Sequence, residues 1–134
     1  MKLTLEHLGL AANSPQILKT WYAATLGAEV VYDSGQTPPS YLLRLGGAMM
    51  LEIYPASHGM VETGYNRLQG WRHLAVRVEN LDSARELLVS RGVEFTDPIR
   101  PAGGGGRVLF FRDPEGNLLH LVERDSSFLE SRQS

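Results

Sequence analysis

Cysteine is absent from this 134-residue chain, which excludes disulfides, thiolate chemistry and cysteine-ligated zinc. An excess of positive charge is missing too. Thirteen Lys and Arg against fifteen Asp and Glu give a formal net charge of -2, so there is no electrostatic case for nucleic acid or an anionic membrane as partner. No apolar run approaches the roughly 18 residues of a membrane span. The N-terminal Met1-Lys2-Leu3-Thr4-Leu5-Glu6 meets an acidic residue too early for a signal peptide. A cytoplasmic protein is therefore expected. What remains, 43% hydrophobic and 21% charged residues, is the composition of an ordinary globular chain. Its length suits one compact domain, or two small halves sharing a core.

The halves echo each other. Leu3–Ala11 reads as a strand, and Asn13-Ser14-Pro15 supplies a helix cap followed by a proline suited to the first turn. Ile17, Leu18, Trp21, Tyr22, Thr25 and Leu26 recur at helical spacing until Gly27 ends the run. Strand candidates Ala28–Tyr32, Tyr41–Leu45 and Met49–Tyr54 follow, the last two joined across Gly46-Gly47. The second half repeats the order. Trp71–Val78 is a strand, Asn80 or Asp82 caps a helix carrying Leu81, Ala84, Leu87 and Leu88, and Gly92 ends it. Strands Val93–Thr96, Arg107–Arg112 and Asn117–Glu123 complete the set. This predicts an α+β fold with strand-helix-strand-strand-strand twice: a first module over 1–54, a linker over 55–70, a second module over 71–124 and a polar tail over 125–134. Phe128 and Leu129 suggest that the tail docks.

Strand parity then sorts the side chains, because successive residues face opposite sides. One parity collects Leu8, Leu10, Leu51, Ile53, Leu74, Val76, Leu119 and Leu121. This aliphatic face is the one for the helices to cover. The other parity carries His7 and Gly9, Glu52 and Tyr54, Trp71, His73 and Arg77, and His120. Glu123 falls on the aliphatic parity and is excluded as a ligand. A mixed face with convergent polar groups suits a small-molecule pocket. His7, Glu52, His73 and His120 form a candidate metal set, three imidazoles and a carboxylate. Zinc, iron, nickel, cobalt or manganese fit such donors, whereas calcium and magnesium prefer oxygen. Without metal, the same histidines would bind an organic ligand directly.

Other residues carry less. His58 lies in the linker without a partner pattern and reads as surface. Gly103-Gly104-Gly105-Gly106 lacks the Lys and Ser/Thr of a phosphate loop and precedes a strand, so a mobile loop near the pocket mouth is expected. Arg77 steers an anionic substrate or simply reaches solvent. Tyr54 and Trp71 are pocket walls or plain core.

Phe110-Phe111-Arg112-Asp113-Pro114-Glu115-Gly116-Asn117-Leu118-Leu119-His120-Leu121 resembles the final hairpin of the vicinal oxygen chelate superfamily, which includes glyoxalase I, bleomycin-resistance proteins and extradiol dioxygenases. His7-Leu8-Gly9-Leu10, Glu52 within Met49–Ile53, and His73-Leu74-Ala75-Val76 resemble its other ligand strands. The likeness runs from Leu3 to Glu123. It implies paired βαβββ modules whose curved mixed sheet encloses a metal cleft, and a homodimer. One position departs from the family: the final-hairpin ligand is usually glutamate, and here it is His120. The resemblance implies a divalent-metal-dependent enzyme of glyoxalase type, a lyase or isomerase, that chelates adjacent substrate oxygens. Glu52 or His120 would act as general base, with Tyr54, Trp71 and Arg77 against the substrate. The alternatives are an extradiol-type dioxygenase using His7, His73 and Glu52, and a metal-free drug-binding resistance protein. Thiol transfer to an antibiotic ranks last, since inward arginines beyond Arg77 are not evident.

Overall fold

Two four-stranded mixed sheets, each carrying one helix, make up a computed structural model in which residues 1–59 and 65–125 are described. The chain divides near residue 61 into two compact units. In the first, β1 (His7–Ala12) leads into α1 (Pro15–Leu26), then β2 (Glu29–Asp33), β3 (Tyr41–Arg44) and β4 (Met50–Pro55). In the second, β5 (His73–Arg77) leads into α2 (Leu81–Ser90), then β6 (Arg100–Pro101), β7 (Arg107–Arg112) and β8 (Leu118–Glu123). Both are βαβββ modules. The sheet orders are β1-β4-β3-β2 and β5-β8-β7-β6, so in each the first strand lies parallel to the last and the others run antiparallel.

Local chemistry explains the helices. Ser14 precedes Pro15, whose missing N–H costs nothing at the first helical position. Leu18, Tyr22 and Thr25 bury one stripe against the first sheet, while Ile17 stays exposed. Gly27 ends the helix in the left-handed region at φ 72°, its N–H returning to Tyr22 O. In α2 the Asn80 side chain accepts from Ser83 N–H, the usual satisfaction of an orphan donor in the first turn. Asn80 is thus the cap, and Asp82 lies within the first turn. Leu81 and Leu88 are the buried positions of this helix.

The strands start later than periodicity suggested, for one reason in both units. The Leu3–Ala11 strand begins at His7, because its partner β4 begins only at Met50, after the Gly46-Gly47 turn. Leu3 and Leu5 therefore have no ladder and are exposed. Likewise the Trp71–Val78 strand begins at His73, opposite Leu118, the first residue after the turn ahead of β8. The strand expected over Val93–Thr96 is not formed. Val93 N–H closes the end of α2 on Leu88 O, and Phe95 packs its ring on Phe111 at 5.5 Å. The ladder forms instead at Arg100–Pro101, kept to two residues, as a proline can donate nothing to it. Residues 60–64 of the expected linker, and Phe128 and Leu129 of the tail, lie outside the described residues.

Leu18, Leu43, Ile53, Leu81, Leu109, Leu119 and Leu121 are almost wholly buried. Leu51 and Ile53 of β4, and Leu119 and Leu121 of β8, are the aliphatic parity picked out by alternation. The opposite parity carries the site.

Candidate metal and substrate site

The parallel pairings repeat from one unit to the other in identical register. His7 lies opposite Met50 and Gly9 opposite Glu52. His73 lies opposite Leu118 and Ala75 opposite His120. Side chains at paired positions of neighbouring strands share a face. Each unit therefore sets a histidine and a second donor on one face, the second donor facing a residue with little or no side chain. Opposite Glu52 stands Gly9, which has no side chain, and opposite His120 stands Ala75, which has only a methyl group. At Gly9, an added Cβ would stand 3.3 Å from Tyr54 Cε1, so Tyr54 lies across Gly9, beside Glu52.

In the second unit the rings are in contact. His73 and His120 have centroids 4.7 Å apart, and Phe110, which pairs with His120 across β7 and β8, lies 4.8 Å from it. His120 is buried, and burial is the main cause that pushes its pKa below the usual imidazole range. A backbone hydrogen bond to Leu121 opposes that shift, and repulsion from His73 and Arg124 adds to it. These causes together favour the neutral ring, the form that has a lone pair to give. Its Nδ1 meets Leu121 O at 3.1 Å, His73 Nδ1 meets Asn66 Oδ1 at 2.7 Å, and His7 Nδ1 meets Glu6 Oε1 at 2.9 Å.

The remaining residues sort by position. Glu52 is half-buried, while Arg77 is exposed at the end of β5. Trp71 is 89% exposed, which removes the core alternative for this ring. His58 is exposed in the segment after β4, with Nδ1 2.9 Å from Ser57 Oγ. Glu123 serves the helix side: its carboxylate accepts from Leu81 N–H at 2.8 Å and from Arg107. The four-glycine loop is a closed turn, with Ala102 N–H bound to Gly106 O and the Arg124 guanidinium donating to Gly103 O and Gly105 O. Among the described residues, no three His, Asp or Glu side chains gather into a metal-holding group. Each unit brings two of the four candidates.

Alternation along strands missed the groups that build the site from outside the ligand strands. Asn66 comes from a turn seven residues ahead of His73. Asp113 is buried and organises the Asp-Pro-Glu-Gly-Asn turn, accepting at Oδ1 from Glu115 and Asn117 N–H and at Oδ2 from Asn117 Nδ2. An aspartate capping its own turn was the available sequence signal. This turn fixes the β7–β8 register and so the Phe110–His120 contact.

A family model, Glyoxalase/Bleomycin resistance protein/Dioxygenase superfamily, matches residues 4–121. The chain belongs to that superfamily. Its relatives include the uncharacterised protein YwkD of Bacillus subtilis (strain 168), 30% identical over 125 residues, covering 90% of this chain and 97% of that protein. A superfamily structure from Enterococcus faecalis, described as a glyoxalase family protein, is 30% identical with a TM-score of 0.76, covering 90% of this chain and 97% of that one. A variant of the genomically encoded fosfomycin resistance protein FosX from Listeria monocytogenes, complexed with Mn(II) and 1S,2S-dihydroxypropylphosphonic acid, has a TM-score of 0.71 at 22% identity, over 100% of both chains. At that identity the likeness to FosX is one of fold. No helix among the described residues is long and apolar enough to cross a membrane.

Proposed function

We propose that the chain is a divalent-metal-dependent enzyme of glyoxalase type, a lyase or isomerase, acting on a small substrate with two neighbouring oxygens. The observation that carries this reading is the matched register of the two units. It gives a His7–Glu52 pair and a His73–His120 pair, each on the mixed face with a glycine or alanine opposite the second donor. The donor chemistry fits zinc, nickel, iron, cobalt or manganese, and is too rich in nitrogen for calcium or magnesium. His7, Glu52, His73 and His120 are the residues that would hold the ion. When bound, a divalent ion supplies Lewis-acid stabilisation of negative charge developing on oxygen. FosX in complex with Mn(II) supports a divalent ion on this fold.

The chain's own residues do the rest. His120, whose burial favours the neutral ring, offers a nitrogen lone pair. Glu52 is the carboxylate placed to accept a substrate proton, and Tyr54 beside it forms a wall. Trp71 and Arg77, both exposed in the second unit, contribute an aromatic surface and a cation for an anionic substrate. We assign the working form to a cytoplasmic homodimer. The decisive experiment is elemental analysis of protein purified without chelator: about one equivalent of a transition metal is expected, lost in His73→Ala and Glu52→Gln. Less than about a tenth of an equivalent, unrestored by soaking, would overturn the reading and leave sequestration of a small molecule in its place.

A second reading, an extradiol-type dioxygenase, is favoured by one observation. His7, Glu52 and His73 are a two-histidine, one-carboxylate set even without His120, and such sets hold non-haem iron. Iron as the retained metal, with oxygen uptake in the presence of a catechol, would select it.

A further inference from the structure

We propose that Asn66 is a positioning residue that presents His73 to the metal through Nε2; this rests on the metal reading above. An amide oxygen only accepts, so the 2.7 Å contact from His73 Nδ1 to Asn66 Oδ1 requires the ring proton on Nδ1 and leaves the lone pair on Nε2. The residue before Asn66, Tyr65, is tied down. Arg72 Nη1 donates to Tyr65 O at 3.3 Å, and Leu68 N–H turns back to the same carbonyl. The segment ahead of β5 is thus folded onto the first residue of that strand.

The other candidate imidazoles are treated alike, each with Nδ1 on an oxygen: Glu6 for His7 and the Leu121 carbonyl for His120. His58 differs, since its neighbour is the Ser57 hydroxyl, which can donate or accept and so fixes no tautomer. All three proposed ligands therefore keep the same nitrogen free. Among them His73 alone relies on a side chain distant in sequence, which makes the contact removable without touching the ligand or its neighbours. An outer partner of this kind orients the ring and raises its basicity, and its loss costs about tenfold to hundredfold in metal affinity.

The test uses full-length Asn66→Ala and Asn66→Asp beside the unaltered protein. Zinc affinity is read by competition with a chromophoric chelator. The His73 tautomer is read by long-range proton–nitrogen NMR on metal-free protein, at a pH where imidazoles are neutral. Asn66→Ala should bind zinc about tenfold to hundredfold more weakly and lose the single Nδ1–H form. Asn66→Asp, which keeps an acceptor, should retain both. Wild-type affinity and tautomer in Asn66→Ala would overturn the inference, as would equal losses in both variants. Failure of the unaltered protein to bind any ion would overturn the metal reading instead. The NMR arm would still decide whether Asn66 sets the ring.

Discussion

Single residues fix where backbone may approach backbone, and Gly106 is the sharpest case. A Cβ built there would lie 1.8 Å from Glu123 O, and φ is +101°, a region L side chains rarely occupy. Gly103, in the same four-glycine run, has open space around its added Cβ and no such φ. The run is therefore not uniform. Gly106→Ala should destabilise by about 3 kcal/mol or more through combined clash and strain. Gly103→Ala should stay within about 0.5 kcal/mol of the unaltered protein. Denaturant titration of the two variants reads the difference, and equal behaviour would refute the close approach. Asp113 makes the complementary case for a polar residue. It is buried and receives three hydrogen bonds in its turn, so Asp113→Ala should cost about 1–3 kcal/mol through the loss of those bonds from partly buried donors. Asp113→Asn, which keeps an acceptor oxygen but loses the charge, should recover part of that loss in the same titration.

At the scale of elements, the Glu123 carboxylate ties β8 to the start of α2 and to Arg107. The Arg107 hydrogen bond is the main cause that lowers its pKa below the usual glutamate range, with Leu81 N–H adding to it. The unfolded chain therefore binds its proton more readily than the folded one. The stability this carboxylate contributes is fully present above the ordinary glutamate pKa and is lost as pH falls through the lower, folded value. Glu123→Gln should then be less stable at neutral pH and show a shallower loss of stability in that acid window. Thermal melts over a pH series check it, and parallel profiles would sink the assignment. Much of this level was legible in the sequence. Among the described residues, alternation and caps located both helices and seven of the eight strands. They failed where pairing is decided by a partner: Leu3–Leu5 and Trp71–Arg72 carry strand-like residues but have no ladder opposite them, and Val93 spends its N–H on α2. Parity put His7, Glu52, His73 and His120 on one type of face. It could not register Asn66, whose contact with His73 depends on how a turn folds back.

For the whole molecule, metal retention by donor variants tests the proposed metal reading. The units share a topology and a register, yet their second donors differ, a carboxylate in one and an imidazole in the other. A single pair offers two ligands, whereas transition-metal sites in proteins generally use three or four. Among the described residues no group of three His, Asp or Glu side chains forms. If the pairs serve one ion, removing a donor from either unit removes the same equivalent of metal. Glu52→Gln and His73→Ala should each abolish high-affinity binding, and the double variant should be little worse, because the losses are grossly non-additive. Binding should also couple to stability: at a free metal concentration about a hundred times the Kd, the folded state gains about 2.7 kcal/mol. That gain should appear as a higher melting temperature reversed by chelator, and both single variants should lack it. Retention of half the metal by each single variant, with none left in the double, would mean two independent ions and would refute a shared site.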